Sequence, residues 1–120
     1  MYRVLSISRN VRLLLARNDV LALAGFSVVS PKNPEHAPLL AATESVDAVV
    51  VGHSIPGQLR KELITDLRRL CPNCLICFVY EGPDTSEEPL ADASLDVTKG
   101  PEPLIRFLQD RLPRNAAIAS

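Results

Sequence analysis

The chain reads as an α/β domain, with a parallel sheet sandwiched between two layers of helices. Three observations predict this. Short aliphatic, β-branched runs alternate with segments of helical periodicity, at spacings that suit right-handed β-α-β crossovers. The AVVV run at residues 48–51 shows no polar alternation, which suits a strand buried on both faces. With 120 residues, 47% of them hydrophobic, the chain suits one domain with a real core. Aromatic residues make up only 4% and tryptophan is absent, so that core must be aliphatic.

The first strand is expected over residues 3–8 (RVLSIS). Asn10 can cap a helix over residues 11–24, and Gly25 can end it as a residue free to take positive φ. A second strand is expected at residues 26–30 (FSVVS). Asn33 followed by Pro34 reads as a helix start, but Pro38 sits deep for a first turn, which delays the helix; it runs to about Glu44. The third strand covers Ala48–Gly52. Over residues 56–70 the helical signal is cleanest, with Leu59, Leu63, Leu67 and Leu70 on one face and Arg60, Lys61, Asp66, Arg68 and Arg69 mostly elsewhere. A fourth strand follows at Leu75–Tyr80 (LICFVY). The polar stretch after it has room for one short helix at residues 86–91. A fifth strand is expected at residues 95–98. The last helix starts near Pro101 and turns Leu104, Leu108 and Leu112 inward. The domain therefore spans residues 1–113, with residues 114–120 a frayed tail.

The net charge is −1, with 13 basic and 14 acidic residues and no block of either sign, so no general attraction to nucleic acid or anionic lipid is indicated. The N-terminal apolar run is interrupted by Arg9, Asn10 and Arg12, which does not suit a signal peptide. No apolar run approaches the ~20 residues of a membrane span. The expectation is a cytoplasmic protein with reduced thiols.

Three stretches resemble the response-regulator receiver family. VDAVVVGHSIPG (residues 46–57) is similar to the family's third strand and the loop after it, where an acid four residues before a proline accepts a phosphoryl group. VTKGPEPLIRFL (97–108) is similar to the end of the fifth strand, its lysine and the last helix. RLCPNCLICFVYEG (69–82) is similar to the turn into the fourth strand. The resemblance covers residues 2–112. It implies a three-layer, flavodoxin-like topology with five parallel strands in the order 2-1-3-4-5, and with the fourth helix short or missing here.

The departures from that pattern define the site. At the phosphoacceptor position stands Gly52, which has no side chain. Where the family holds Mg²⁺ with acids, this chain has Ser8 and Arg9, and an arginine cannot ligate a metal. The position ending the fourth strand is Tyr80, and the aromatic switch position, three before the lysine, is Asp96. Lys99 alone matches. The resemblance thus implies a degenerate phosphorylation pocket of Ser8, Arg9, Gly52, Tyr80 and Lys99, with no metal, no cofactor and no catalytic residue. Arg9 and Lys99 at one sheet edge would need neutralising, either by Glu81 or Asp96 folding in, or by an anion bound at Arg9, His53 and Lys99.

His53 has no carboxylate at fixed spacing to orient it as a base, and His36 has no visible partner. Cys71, Cys74 and Cys77 have CxxCxxC spacing, but the first pair closes a helix and precedes a strand. A helix N-terminus that would activate a thiol is therefore missing. Cys77 reads as a small core hydrophobe. The basic residues between Arg60 and Arg69 read as the solvated side of their helix.

The expected function is that of a pseudo-receiver of two-component signalling, not an enzyme, which binds a protein through the last helix and residues 81–98. The partner is a sensor kinase, an output protein or another receiver, and a homodimer is compatible. The competing expectation is a flavodoxin-like domain that binds a small molecule or anion along the Arg9/Lys99 edge.

Overall fold

A computed structural model describes residues 1–82 and 88–112. Five parallel strands form one sheet in the order β2-β1-β3-β4-β5: β1 (Arg3–Ile7), β2 (Ser27–Val29), β3 (Ala48–Gly52), β4 (Leu75–Tyr80) and β5 (Ala93–Asp96). Four helices are described, α1 (Val11–Leu23), α2 (Ala37–Thr43), α3 (Gly57–Leu70) and α4 (Glu102–Arg111). A 3₁₀ turn, Pro34–His36, leads into α2.

The period-two alternation of strand side chains sorts the core into two layers. Leu5, Ile7, Val49, Val51 and Ile76 pack with Leu63, Ile64 and Leu67 of α3 and Ala37 and Ala41 of α2. Val4, Ala48, Val50, Cys77 and Val79 pack with Leu21 of α1 and with Leu104 and Leu108 of α4. All five residues of β3 are buried, as expected of the central strand of a parallel sheet. Ser6 and Gly52 share the alternation of Val4 and Val50, and so belong to the layer covered by α1 and α4.

Local chemistry sets the boundaries. The Asn10 side chain caps α1 by accepting from the Leu13 N–H at 3.1 Å, and Gly25, at φ +98°, follows its end. The first strand ends at Ile7, not residue 8, because the Ser8 hydroxyl turns to the Asn10 N–H. Asn33 makes no side-chain cap. Pro34 opens the 3₁₀ turn, and α2 starts at Ala37 with Pro38 in its first turn, where no N–H is needed.

Two expectations are corrected. The fifth strand lies at Ala93–Asp96, upstream of residues 95–98. Its start is fixed by Asp92, whose N–H donates to Ile76 O and whose carboxylate accepts from the Ile76 N–H. Its end is fixed by the Asp96 carboxylate, which accepts from the N–H of Thr98 and turns the chain. The buried face of α3 is Arg60, Leu63, Ile64 and Leu67, while Leu70 in the last turn is 44% exposed. Arg60 goes inward because it finds a buried partner, Glu88, and lies 4.4 Å from the Phe78 ring centroid.

Of the short helix expected at residues 86–91, the first two residues lie outside the described ones. The rest form a turn closed by the Ala91 N–H on Glu88 O at 2.9 Å. The expected tail also lies outside the described residues. Among the described residues no helix is long and apolar enough to cross a membrane.

Candidate functional site

Parallel strands deliver their carboxyl ends to one edge of the sheet, where α/β folds place ligands. Here that edge collects Ser8, Gly52, His53, Tyr80 and Glu81, with Thr98 and Lys99 just past β5. A further residue comes from α1. Leu13, Arg17 and Leu21 follow one another at helical i, i+4 spacing, and Leu21 is fully buried. The shared face carries Arg17 onto the sheet.

The Arg17 guanidinium lies over the end of β1 and β3. Its Nη1 donates to Ser6 Oγ at 3.0 Å and to Ile7 O at 3.1 Å. Its Nη2 lies 2.7 Å from where a Cβ on residue 52 would stand, so a side chain there would require the guanidinium to shift. Gly52 is therefore the floor of an arginine site: the absent side chain is the space in which the guanidinium sits. Burial presses the Arg17 pKa down to about 10, and the group remains a cation at neutral pH. Among the described residues no carboxylate lies within ion-pair distance of it.

Ser8 is tied to the loop after β3. Its hydroxyl lies 2.9 Å from Ser54 Oγ, which also accepts from the Arg9 N–H at 3.0 Å. The Arg9 side chain turns away, 3.8 Å from Glu35, with both groups about half exposed. Lys99 is exposed and forms no ion pair among the described residues. Asp96 bonds to Thr98 instead, and the side-chain bond from Thr98, then its N–H, lowers the carboxyl pKa; Lys99 adds the least. Tyr80 is half-buried and stacks on Phe78 with ring centroids 5.9 Å apart. The structure thus does not join Arg9 and Lys99 into one cationic pair, and neither Glu81 nor Asp96 forms an ion pair with them among the described residues.

A cavity of about 320 Å³, lined in part by Arg17, opens between α1, the ends of β3, β4 and β5, and the start of α4. Leu13, Val20, Val79, Val97 and Leu104 give it an apolar wall. Arg17, His53, Glu81 and Thr98 supply its polar groups. Of the residues expected to bind an anion, only His53 lines this space; Arg9 and Lys99 do not.

These residues do not fit the Mg²⁺ that receivers carry. A hydroxyl bonded to another hydroxyl, a guanidinium turned outward and a bare glycine offer no carboxylate, and Arg17 adds a positive charge over Gly52. Among the described residues no three His, Cys, Asp or Glu side chains are placed to hold a metal ion.

The three cysteines are free thiols. Burial pushes Cys74 up to about 12, helped by a bond with Cys71, and burial pushes Cys77 up to about 12 despite the nearby Arg17 charge. Neither is a thiolate at neutral pH, so neither is an activated nucleophile there.

Sequence reasoning missed Arg17 and the Arg60–Glu88 pair. The signal for Arg17 was a charged residue in the middle of an i, i+4 leucine row. No comparable signal links Arg60 to Glu88, which are far apart in sequence.

No protein-family model matches the sequence, and no curated protein matches it. Solved structures do match. The chemotaxis protein CheY4 of Vibrio cholerae is 18% identical, with a TM-score of 0.79 over 93% of this chain and 99% of that one. A chain from the complex of the histidine kinase ThkA with the response regulator TrrA is 17% identical, with a TM-score of 0.81 over 94% of this chain and 100% of that one. TrrA of Thermotoga maritima in complex with Mg²⁺–BeF is 16% identical, with a TM-score of 0.79 over 92% and 98%. The strand order, the parallel pairing and these similarities together establish that the chain has the fold of response-regulator receiver domains.

Proposed function

We propose that the chain is a receiver-like module of two-component signalling that acts through protein contacts and carries no phosphoryl group. The observation that supports this best is the Arg17 guanidinium over Gly52. Aspartyl phosphorylation requires a carboxylate to attack phosphorus and a divalent cation to neutralise the charge on the phosphoryl oxygens. Here the attacking group is missing, the metal acids are replaced by Ser8 and Arg9, and a resident cation fills the gap. Arg17 does locally what a metal ion does for charge, but it does so permanently.

The partner on this reading is a sensor kinase, an output protein or another receiver. That TrrA forms a complex with a histidine kinase supports the kinase as the first to test. The contact surface lies on α4 and the described part of residues 81–98, where β5 is the edge strand and Leu90 is 49% exposed. Receivers use the fourth helix, fifth strand and last helix for output. Among the described residues this surface includes the turn at residues 88–91, closed by the Ala91 N–H on Glu88 O.

The test is direct. The protein is incubated with acetyl phosphate and Mg²⁺, and its intact mass is measured at once. The expected result is no added phosphoryl group. An acid-stable, hydroxylamine-labile adduct would refute the reading. The protein-contact half is tested by co-elution with the kinase domain of the same host, with Mg²⁺ and without; binding that needs Mg²⁺ or a phosphodonor would count against it.

A further inference from the structure

The buried cation and the cavity belong together. Arg17 has five N–H donors. Its Nη1 makes the bonds to Ser6 and Ile7, while its Nε and Nη2 have no hydrogen-bond partner among the described residues. Arg17 lines the cavity, so these donors are the ones left for a ligand that enters it. A buried charge without a counter-charge is costly, and an anion that reached it would remove that cost.

The walls narrow the class of anion. Leu13, Val20, Val79, Val97 and Leu104 would strip water from whatever enters, so the body of the ligand must be apolar. One guanidinium balances one negative charge. Glu81, at the rim, disfavours a second. A phosphate dianion would therefore leave charge uncompensated in an apolar site. A carboxylate matches both the charge and the planar fork of the guanidinium. Thr98 and His53 offer polar groups at the rim. The volume, about 320 Å³, lies at the small end of ligand sites.

We propose that the cavity between α1 and α4 binds a small monocarboxylic acid with an apolar body, its carboxylate on Arg17 and its hydrophobic part against Val20, Val79, Val97 and Leu104. This binding is non-covalent and stands whether or not the protein-contact reading holds. It moves the anion site from the Arg9/Lys99 edge to a residue of the first helix.

Calorimetric titration of the full chain with phenylacetate tests it, against phenylacetamide and inorganic phosphate as controls. Phenylacetate is expected to bind, and both controls to fail at the same concentrations. Arg17→Gln should weaken phenylacetate by about tenfold or more, the loss of a charge-assisted pair. Val20→Phe, which fills the cavity and leaves the guanidinium in place, should abolish binding. A direct readout in the unaltered protein is the Arg17 Nε–H resonance, which should move on adding phenylacetate and stay still with phenylacetamide. Absence of that movement at millimolar phenylacetate, equal binding of inorganic phosphate, or undiminished binding by a folded Arg17→Gln protein would each overturn the proposal.

Discussion

The Nη2 atom of Arg17 lies 2.7 Å from the position a Cβ on Gly52 would take, so the glycine and the arginine occupy one site between them. The same guanidinium is held from the other side by Ser6 Oγ and Ile7 O. A side chain at residue 52 and this placement of Arg17 exclude each other.

Gly52→Ala is therefore expected to destabilise the protein by about 1–3 kcal/mol, because the guanidinium must move off its acceptors or the strand end must shift. The loss should shrink in an Arg17→Met background. Urea unfolding of the two single variants and the double variant gives the coupling energy, expected at about 1 kcal/mol. Strict additivity would show that the two residues do not share the space.

Restoring an aspartate at residue 52 should not restore phosphorylation. The new carboxylate would meet Arg17 and form an ion pair, and Ser8 and Arg9 would still offer no oxygen cluster for Mg²⁺. Gly52→Asp treated with acetyl phosphate and Mg²⁺ is expected to keep its unmodified mass. A phosphorylated product would mean that the nucleophile alone was limiting.

Arg60 and Glu88 join α3 to the segment before β5, with side chains only 6% and 3% exposed. Arg60 Nη1 also donates to Ile55 O at 3.1 Å. Glu88→Ala leaves a buried guanidinium unpaired and should cost about 3–5 kcal/mol in urea melts. Replacing both partners, Arg60→Met with Glu88→Leu, should recover most of that loss. A small effect of the single variant would show that water reaches the pair.

Cys74 and Cys77 make stability fall at high pH. An unfolded thiol ionises near its ordinary value of 9.0, whereas these two hold their protons to about 12 in the fold. Between those values the unfolded chain binds fewer protons, so stability is full below pH 9 and is lost as pH rises towards 12. Cys77→Ala should flatten part of that fall, measured as the pH dependence of the urea midpoint. At pH 8 a disulfide reagent should modify Cys71 first, and Cys74 and Cys77 only on unfolding.

The parts of the fold that local pattern controls were legible in the sequence. Ala48–Gly52 and Leu75–Tyr80 are uninterrupted apolar runs, and both strands lie where those runs do. The core positions Leu104, Leu108 and Leu112 follow from helical spacing alone. The fifth strand was misplaced because its limits depend on Asp92 and Asp96 bonding to backbone, not on hydrophobic pattern. The site was half legible. The bare Gly52 could be read, but not what covers it, since an arginine in a helix looks solvated until tertiary packing decides otherwise. Arg9 shows the converse. Its place after the first strand suggested a pocket cation, yet its side chain reaches Glu35 on the outside.

The Ser8–Ser54 contact ties the end of the first strand to the loop after the third, with two hydroxyls 2.9 Å apart. Neither group ionises in any physiological range, so this clasp neither needs chelatable ions nor loosens when they are withdrawn. A loop held that way should keep one shape in magnesium-starved and magnesium-replete cells alike. On the proposed reading, how often the module engages its partner would then depend on how many copies of each the cell makes.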